Sequence, residues 1–377
     1  MGRTPPRRFS AHHRRADGLA TIAEVGKASR AKRERPLWSR DATMTALVAR
    51  LANHEALVES YCPGGLAELD KARSGRRPRQ LWPGWCWVPT AVADRVSALR
   101  CDPGLDDQTR LGVGQVMSFV GAWRLGKGIY RVSPEFAGQL HATRLPDALP
   151  GDVLLQFPEW CVYIPIQPVP NVVGAYVRLD WDLETERPLL GLLFDIAPED
   201  EAEKSILVNL DLFLDHDSLS SALSELIASP EGSSGGPEGV PVLAVAARPF
   251  VDVALYLCSL DADAVTRQNP GTRPRHHARP AGQPSIWDIG YRVAELLRRP
   301  GVSRQAPAGA ERPSPAPHMR RAHWHTYLVG KGSRTDPSTA RRELRWVHPT
   351  LVGTGDRVPV VRHLRSHDRE PTVGDGS

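Results

Sequence analysis

The sequence has no apolar run as long as a membrane helix requires, which is roughly eighteen residues. Its basic N-terminal stretch contains no hydrophobic segment of the kind that a secretory signal carries. These absences predict a cytoplasmic protein that does not associate with membranes.

Cysteine is also scarce: the chain has five, and no two are spaced as C-x-x-C. An odd number of scattered cysteines argues against a disulfide framework and against a thiolate zinc site. Apolar neighbours, as in Trp85-Cys86-Trp87, indicate buried thiols in a reducing compartment. We expect neither a metal nor a cofactor.

Charge is unevenly distributed along the 377 residues. The formal net charge is +5, but residues 1–144 carry +11, residues 145–265 carry −17 and residues 266–377 carry +11. Two basic arms therefore flank an acidic middle. The arms favour an anionic partner such as RNA or the ribosome. The acidic middle fits a basic peptide, although pairing with the chain's own arms explains it equally well.

Hydrophobic periodicity predicts an α+β fold with N-terminal helices, a central antiparallel sheet, and C-terminal helices plus a short β element. The expected organisation is given by five ranges. A disordered basic tail (1–40) precedes a helical N-terminal region (41–145) and an antiparallel sheet region (146–230). A C-terminal helical and β region with a basic aromatic motif (240–353) and a tail (354–377) follow.

Period-2 alternation predicts about four antiparallel strands, with one face of the sheet toward the core. They cover residues 160–167, 175–182, 188–196 and 206–214. Helices are expected near 41–59, 90–99, 106–123 and 217–228. Two more helical predictions are a buried segment at 240–260, interrupted near Pro249, and a helix over 284–299 capped by Ser285.

A basic aromatic motif, Arg320-Arg321-Ala322-His323-Trp324-His325-Thr326-Tyr327, is followed by a second one at Arg345-Trp346. In a strand, His323 and His325 share one face with Arg321 and Tyr327, while Trp324 shares the other with Arg320. Such a combination is typical of surfaces that stack bases and pair phosphates. A half-buried strand, with its tryptophan in the core, has the same pattern.

Four ordered blocks of the sequence resemble the second family of type V-A anti-CRISPR proteins. They are residues 123–130 (WRLGKGIY), 155–164 (LQFPEWCVYI), 317–327 (PHMRRAHWHTY) and 344–349 (LRWVHP). The resemblance implies suppression of the production of the type V-A effector nuclease, through recognition of its nascent chain and loss of its mRNA. The basic N-terminal extension and the tail after Gly353 depart from the family pattern.

This resemblance and the charge pattern together suggest two binding surfaces. The expected partners are a ribosome or nascent polypeptide, an mRNA, and a host ribonuclease. The candidates for RNA or ribosome binding are Arg320, Arg321, His323, Trp324, His325, Tyr327, Arg345 and Trp346. The candidates for peptide binding are Asp180, Asp182 and Trp160.

Two alternatives use the same motif differently. In a metal-independent ribonuclease, His323 and His325 act as acid and base while arginines stabilise the phosphorane. In a non-catalytic adaptor, the motif only binds RNA or the ribosome. A metal bound by His323 and His325 would lack a third ligand nearby in the sequence.

Overall fold

The computed structural model describes residues 41–74, 81–199, 204–216, 218–228, 240–260, 262–266, 284–298, 318–329 and 341–352. The predicted basic tail (1–40) and the C-terminal tail (354–377) lie outside these residues. Residues 200–203, which follow Glu199, also lie outside them.

Four helices come first along the described chain: α1 (Asp41–Tyr61), α2 (Gly65–Ser74), α3 (Thr90–Arg100) and α4 (Asp107–Gly126). Helices α1, α3 and α4 were predicted, whereas α2 was not. Asp106 caps the start of α4, and its side chain accepts a hydrogen bond from the Thr109 backbone N–H. Lys127 caps its end, with a left-handed backbone and φ of 47°. The buried stripe of α1 includes Leu47, Leu51 and Val58.

The central sheet has seven strands within the described residues, in the order β5-β4-β3-β2-β1-β7-β6. They are β1 (Gly128–Val132), β2 (Cys161–Ile164), β3 (Val172–Asp182), β4 (Arg187–Ile196), β5 (Ile206–Phe213), β6 (Ala264–Thr266) and β7 (Ser285–Ile289). Strands β2 to β5 pair antiparallel, which confirms the four predicted strands. Strand β1, which the sequence did not reveal, pairs parallel with both β2 and β7.

Among the described residues, the remaining helices are α5 (Pro134–Ala142), α6 (Leu219–Ala228), α7 (Val240–Cys258) and α8 (Tyr291–Arg298), with a short 3-10 helix at Gly151–Gln156. The predicted interruption of α7 is wrong, because Pro249 lies inside one continuous helix. A proline removes one backbone hydrogen bond. The burial of Phe250, Val251 and Ala254 on the same helix outweighs that loss.

The prediction of one helix over 284–299 is also wrong at its start. Residues 285–289 form strand β7, and α8 begins only at Tyr291. Gly290 separates the two elements with a φ of +65°, a conformation that suits glycine. A Cβ at this position would lie 2.1 Å from the Phe136 ring, so the close approach also requires glycine.

Apolar side chains cover both faces of the sheet, which corrects the prediction of one buried face. Val177 and Leu179 of β3 face the cluster that contains α5, α6 and α7. Tyr176 faces the second cluster, formed with α1 to α4. Strand β3 is therefore interior on both sides, and its alternating polar residues are not a solvated face.

Helix α1 is held to the second face by polar contacts as well as by apolar packing. Both the Nε and the second guanidinium nitrogen of Arg50 donate to the buried Asp195 carboxylate, at 2.8 and 2.7 Å. The His54 Nδ1 atom lies 2.9 Å from the Tyr176 hydroxyl. Burial lowers the pKa of His54, so its ring is neutral in this contact.

Two antiparallel strand pairs stand apart from the main sheet. Strand β8 (His318–Arg320) pairs with β11 (Thr350–Val352). Strand β9 (His323–Val329) pairs with β10 (Arg341–Val347), and we call this pair the β9–β10 ribbon. The short C-terminal β element was thus predicted correctly, and it carries the basic aromatic motif.

Candidate nucleic-acid interface

The register of the β9–β10 ribbon brings the two predicted halves of the motif together. Trp324 lies opposite Trp346, and His325 lies opposite Arg345. Because side chains alternate along a strand, the tryptophans occupy one face and the His and Arg partners occupy the other. The predicted alternation of His and Trp side chains is therefore confirmed, while Arg320 and Arg321 lie outside β9.

The inner face of the ribbon belongs to the protein core. Trp324 is 5% exposed and Trp346 is 3% exposed. The Trp346 ring meets Phe136 and Tyr256 edge-on, with centroids 5.3 and 5.8 Å apart. Its Nε1 donates a hydrogen bond to the Thr143 hydroxyl at 3.3 Å. The prediction that both tryptophans contact RNA is wrong, because packing against the main body already covers their rings.

The outer face, by contrast, is open to solvent. We define the outer face as the exposed His325, Tyr327 and Arg345 with the half-buried His323, and include with it the exposed Arg321, which lies two positions before β9. The His325 and Tyr327 rings are stacked, 4.2 Å between centroids and 11° from parallel. The Arg345 guanidinium carbon lies 5.1 Å from the Tyr327 ring centre. Of the other predicted contacts, the side chain of Arg320 lies outside the described residues.

The two histidines of the motif do not have the surroundings of an acid–base pair. They lie two positions apart on one strand, and His325 Nδ1 contacts the Thr326 carbonyl oxygen at 3.1 Å. Among the residues that the structure describes, no carboxylate is hydrogen-bonded to either ring, so nothing orients them as in a catalytic dyad. The described part of the chain also contains no group of three His, Cys, Asp or Glu placed to hold a metal ion.

The candidate peptide-binding residues lie in different environments. Asp180 is 3% exposed and forms an ion pair with Arg178, which is fully buried. Its assignment to a peptide surface is therefore wrong. Asp182 is half-buried and accepts hydrogen bonds from the Glu184 backbone N–H and the Thr185 hydroxyl, at 2.9 and 2.6 Å. Only Trp160 and Asp182 remain near the surface.

The Arg178–Asp180 pair fixes a tryptophan-rich segment, residues 82–87, to the sheet. The Arg178 guanidinium donates to the Val88 carbonyl at 3.1 Å. The Asp180 carboxylate accepts from the Thr90 hydroxyl at 2.5 Å. Next to this segment, half-buried Trp160 donates to the Gly84 carbonyl at 3.4 Å and lies 5.3 Å from the Arg73 guanidinium.

Two further carboxyl groups lie close to this ion pair. Burial, together with the charge of Asp180, raises the pKa of Asp94 to about 7. The same two causes raise the pKa of Asp211 to about 7. The Asn209 amide donates to Asp211 at 2.9 Å. One arginine thus faces three aspartates, and protonation of Asp94 and Asp211 lowers the excess negative charge as the pH falls below about 7.

Comparison with known proteins supplies the family. The model of the anti-CRISPR type V subtype A2 family, described as AcrVA2-like, matches residues 130–354. This protein belongs to the AcrVA2-like anti-CRISPR family. The matched region begins in β1 and includes the main sheet and the whole β9–β10 ribbon.

The crystal structure of AcrVA2 has the same fold as this AcrVA2-like protein. The two superpose with a TM-score of 0.54 at 19% sequence identity, over 81% of this chain and 99% of that chain. Among curated proteins, none matches the sequence. No helix within the described residues is long and apolar enough to cross a membrane.

The buried ion pair of this AcrVA2-like protein has a signal in the sequence. An arginine and an aspartate two positions apart in an apolar strand, as Arg178 and Asp180 are, indicate a buried ion pair when neighbouring strands are apolar on both faces. The half-buried contact of Trp85 with Trp181, 5.9 Å between ring centroids, joins positions far apart in the chain. Sequence spacing gives no signal for that contact.

Proposed function

We propose that this anti-CRISPR protein lowers production of a type V-A CRISPR nuclease by recognising the nascent nuclease on the ribosome and causing loss of its mRNA. Membership of the AcrVA2-like family is the observation that carries the proposal. The exposed cationic and aromatic outer face of the β9–β10 ribbon supports a contact with RNA. Trp160 and Asp182 stay as candidates for contact with the nascent peptide.

The geometry favours an adaptor over a ribonuclease. General acid–base cleavage needs two groups that reach opposite sides of the reacting phosphate and are held in place. His323 and His325 both project from strand β9, and the Nδ1 atom of His325 contacts the carbonyl oxygen of its neighbour Thr326. In this proposal a host ribonuclease, recruited by the bound protein, degrades the transcript.

A reporter fused behind the opening codons of a type V-A nuclease tests the proposal in cells. Three versions are compared: the native codons, synonymously recoded codons, and a frameshifted sequence with nearly the same nucleotides. Loss of mRNA from the native and recoded reporters, but not from the frameshifted one, is the expected result. Equal mRNA from all three would contradict recognition of the nascent peptide.

The adaptor role is tested with purified protein and labelled RNA in EDTA. No cleavage is expected from the wild type. Cleavage that disappears in His323→Ala and His325→Ala variants, while binding persists, would instead establish the ribonuclease alternative.

A further inference from the structure

The outer face of the β9–β10 ribbon carries exposed aromatic and cationic side chains that do not pack against the protein core. Its reverse side is fixed to the body by Trp324, Leu344 and Trp346, which are all buried. The stacked His325 and Tyr327 rings contribute little to that core, since both are exposed. A rigid ribbon thus presents an aromatic stack next to guanidinium groups in water.

We infer that this outer face is a binding site for single-stranded RNA. An unpaired base stacks on the exposed ring surface of the His325–Tyr327 pair, because planar side chains accept any base on their faces. The Arg345 guanidinium, already beside Tyr327, extends this planar surface and pairs with a phosphate. Arg321, exposed just before β9, supplies a second cation for the backbone.

The geometry selects an unpaired strand rather than a duplex. In an A-form duplex the base faces are stacked on each other, and only phosphates and groove edges are accessible. A duplex would therefore use the arginines of the outer face but not its rings. An acidic peptide would pair with the arginines, yet its backbone offers less planar surface for the stacked rings.

The orientation of His325 adds a preference for RNA over DNA. The Thr326 carbonyl oxygen only accepts hydrogen bonds, so His325 Nδ1 must be the donor in their 3.1 Å contact. In the neutral ring, Nε2 then carries a lone pair and accepts a hydrogen bond. A ribose 2′-hydroxyl can donate this bond, whereas deoxyribose has no such group.

One acidic residue marks the limit of the site. Glu343 is half-buried and lies opposite Tyr327 in the register of the ribbon. In that register the Glu343 and Tyr327 side chains project from the same side of the ribbon, so the negative charge of Glu343 opposes the approach of a phosphate. Replacing it with a neutral amide of the same shape therefore favours RNA, which gives a variant with an effect in the opposite direction.

Binding of the full-length protein to a labelled, unstructured RNA of about twelve nucleotides tests the inference by fluorescence anisotropy. Tyr327→Ala is expected to weaken binding by about 5- to 100-fold, the range for loss of one stacked base, and Tyr327→Phe to retain it. Arg345→Ala is expected to weaken binding and to reduce the slope of log K against log salt by about 0.7, the value for one phosphate contact on a single strand. Glu343→Gln is expected to bind more tightly.

Arg100→Ala is the matched control, because Arg100 is an exposed arginine of α3 that pairs with Glu68, in the helical layer on the opposite face of the sheet. It should bind as the wild type does. All substituted outer-face residues except Glu343 are exposed, and far-UV circular dichroism with thermal melts verifies the fold of each variant.

Several results would overturn the inference. They are no RNA binding by the wild type near physiological salt, unchanged binding in both Tyr327→Ala and Arg345→Ala, or tighter binding of a duplex or of a polyglutamate peptide. Equal affinity for RNA and for DNA of the same sequence would overturn the contact of His325 with the 2′-hydroxyl. His325→Ala should reduce the RNA preference of the wild type.

The biological meaning of the RNA site rests on the proposed function, but the two can fail separately. If the purified protein binds RNA through the outer face while no reporter transcript falls in cells, the proposed function is wrong and the site stands. If the transcript falls for the wild type and equally for the Tyr327→Ala variant, the site is irrelevant to that function. Loss of both effects in Tyr327→Ala supports both.

Discussion

Replacing Asp211 with Asn should change how the stability of the protein depends on pH. Asp211 lies on β5, opposite Gly191 of β4, and faces the helical layer near Asp180 and Asp94. Its pKa is raised to about 7 by burial and by the charge of Asp180, against an ordinary value near 3.8. Asn has the same shape and carries no charge at any pH.

The direction of the pH effect follows from the protonation of Asp211 in the folded and in the unfolded chain. Between about pH 4 and pH 7 the carboxyl group is protonated in the folded protein and ionised in the unfolded chain. The folded state therefore holds the extra proton, and the free energy of unfolding falls as the pH rises, by up to about 1.4 kcal/mol per pH unit. Over the whole interval from about pH 4 to pH 7, the free energy of unfolding falls by about 4 kcal/mol at most. Partial exposure of Asp211 reduces this to about 2 kcal/mol.

Urea denaturation followed by tryptophan fluorescence at pH 5 and pH 8 measures the effect. Part of the loss has already occurred at pH 5, because Asp211 is ionised there in the unfolded wild-type chain. Between pH 5 and pH 8 the stability of Asp211→Asn relative to the wild type should therefore rise by a further amount of about 1–1.5 kcal/mol. Asp147→Asn is the control, because Asp147 is 78% exposed and its offset from the wild type should be the same at both pH values. An equal offset at both pH values for Asp211→Asn would refute the reasoning.

Two further substitutions test the buried contacts. Arg178→Met should lower the free energy of unfolding by about 3–5 kcal/mol in urea denaturation, because it leaves the buried Asp180 carboxylate without its cation; a loss below about 1 kcal/mol would contradict the pairing. Trp346→Ala should cost about 3–5 kcal/mol and raise amide hydrogen exchange along β9, because it removes the ring that anchors the ribbon between Phe136 and Tyr256. Unchanged exchange would show that the ribbon is held by other contacts.

The order of the elements was predictable because periodicity is strong in them. The spacing of Leu47, Leu51 and Val58 gave helix α1, and the alternation in β3 to β5 gave the antiparallel strands. The pattern in β3 was nevertheless assigned one buried face. A polar residue opposite an apolar one looks the same whether it meets water or, as Arg178 does, a buried carboxylate.

Long-range packing explains what the sequence did not reveal. Residues 285–289 have a short apolar pattern that fits either a helix or a strand, and only the pairing with β1 decides between them. Likewise the alternation of side chains along the ribbon was predictable, but the sequence did not show which of the two faces packs against the core. Trp346 is buried because Phe136, Thr143 and Tyr256, which are distant in the chain, surround it. Trp324 is buried beside it, with ring centroids 6.5 Å apart.

The parallel pairing of β1 with β7 has a consequence for the order in which the protein folds. Arg131 of β1 and Asp288 of β7 form an ion pair across 157 positions of the chain, with nitrogen–oxygen distances of 2.5 and 2.7 Å. Strands β1 to β5 are synthesised long before β7, and until β7 pairs with β1 the backbone groups along that edge of β1 have no partner strand. Strand β7 can pair with β1 only after residue 289 has been synthesised. Because this contact joins distant parts of the chain, we expect it to form late and slowly during folding. A chain that stops before β7 would expose this edge to strands of other molecules.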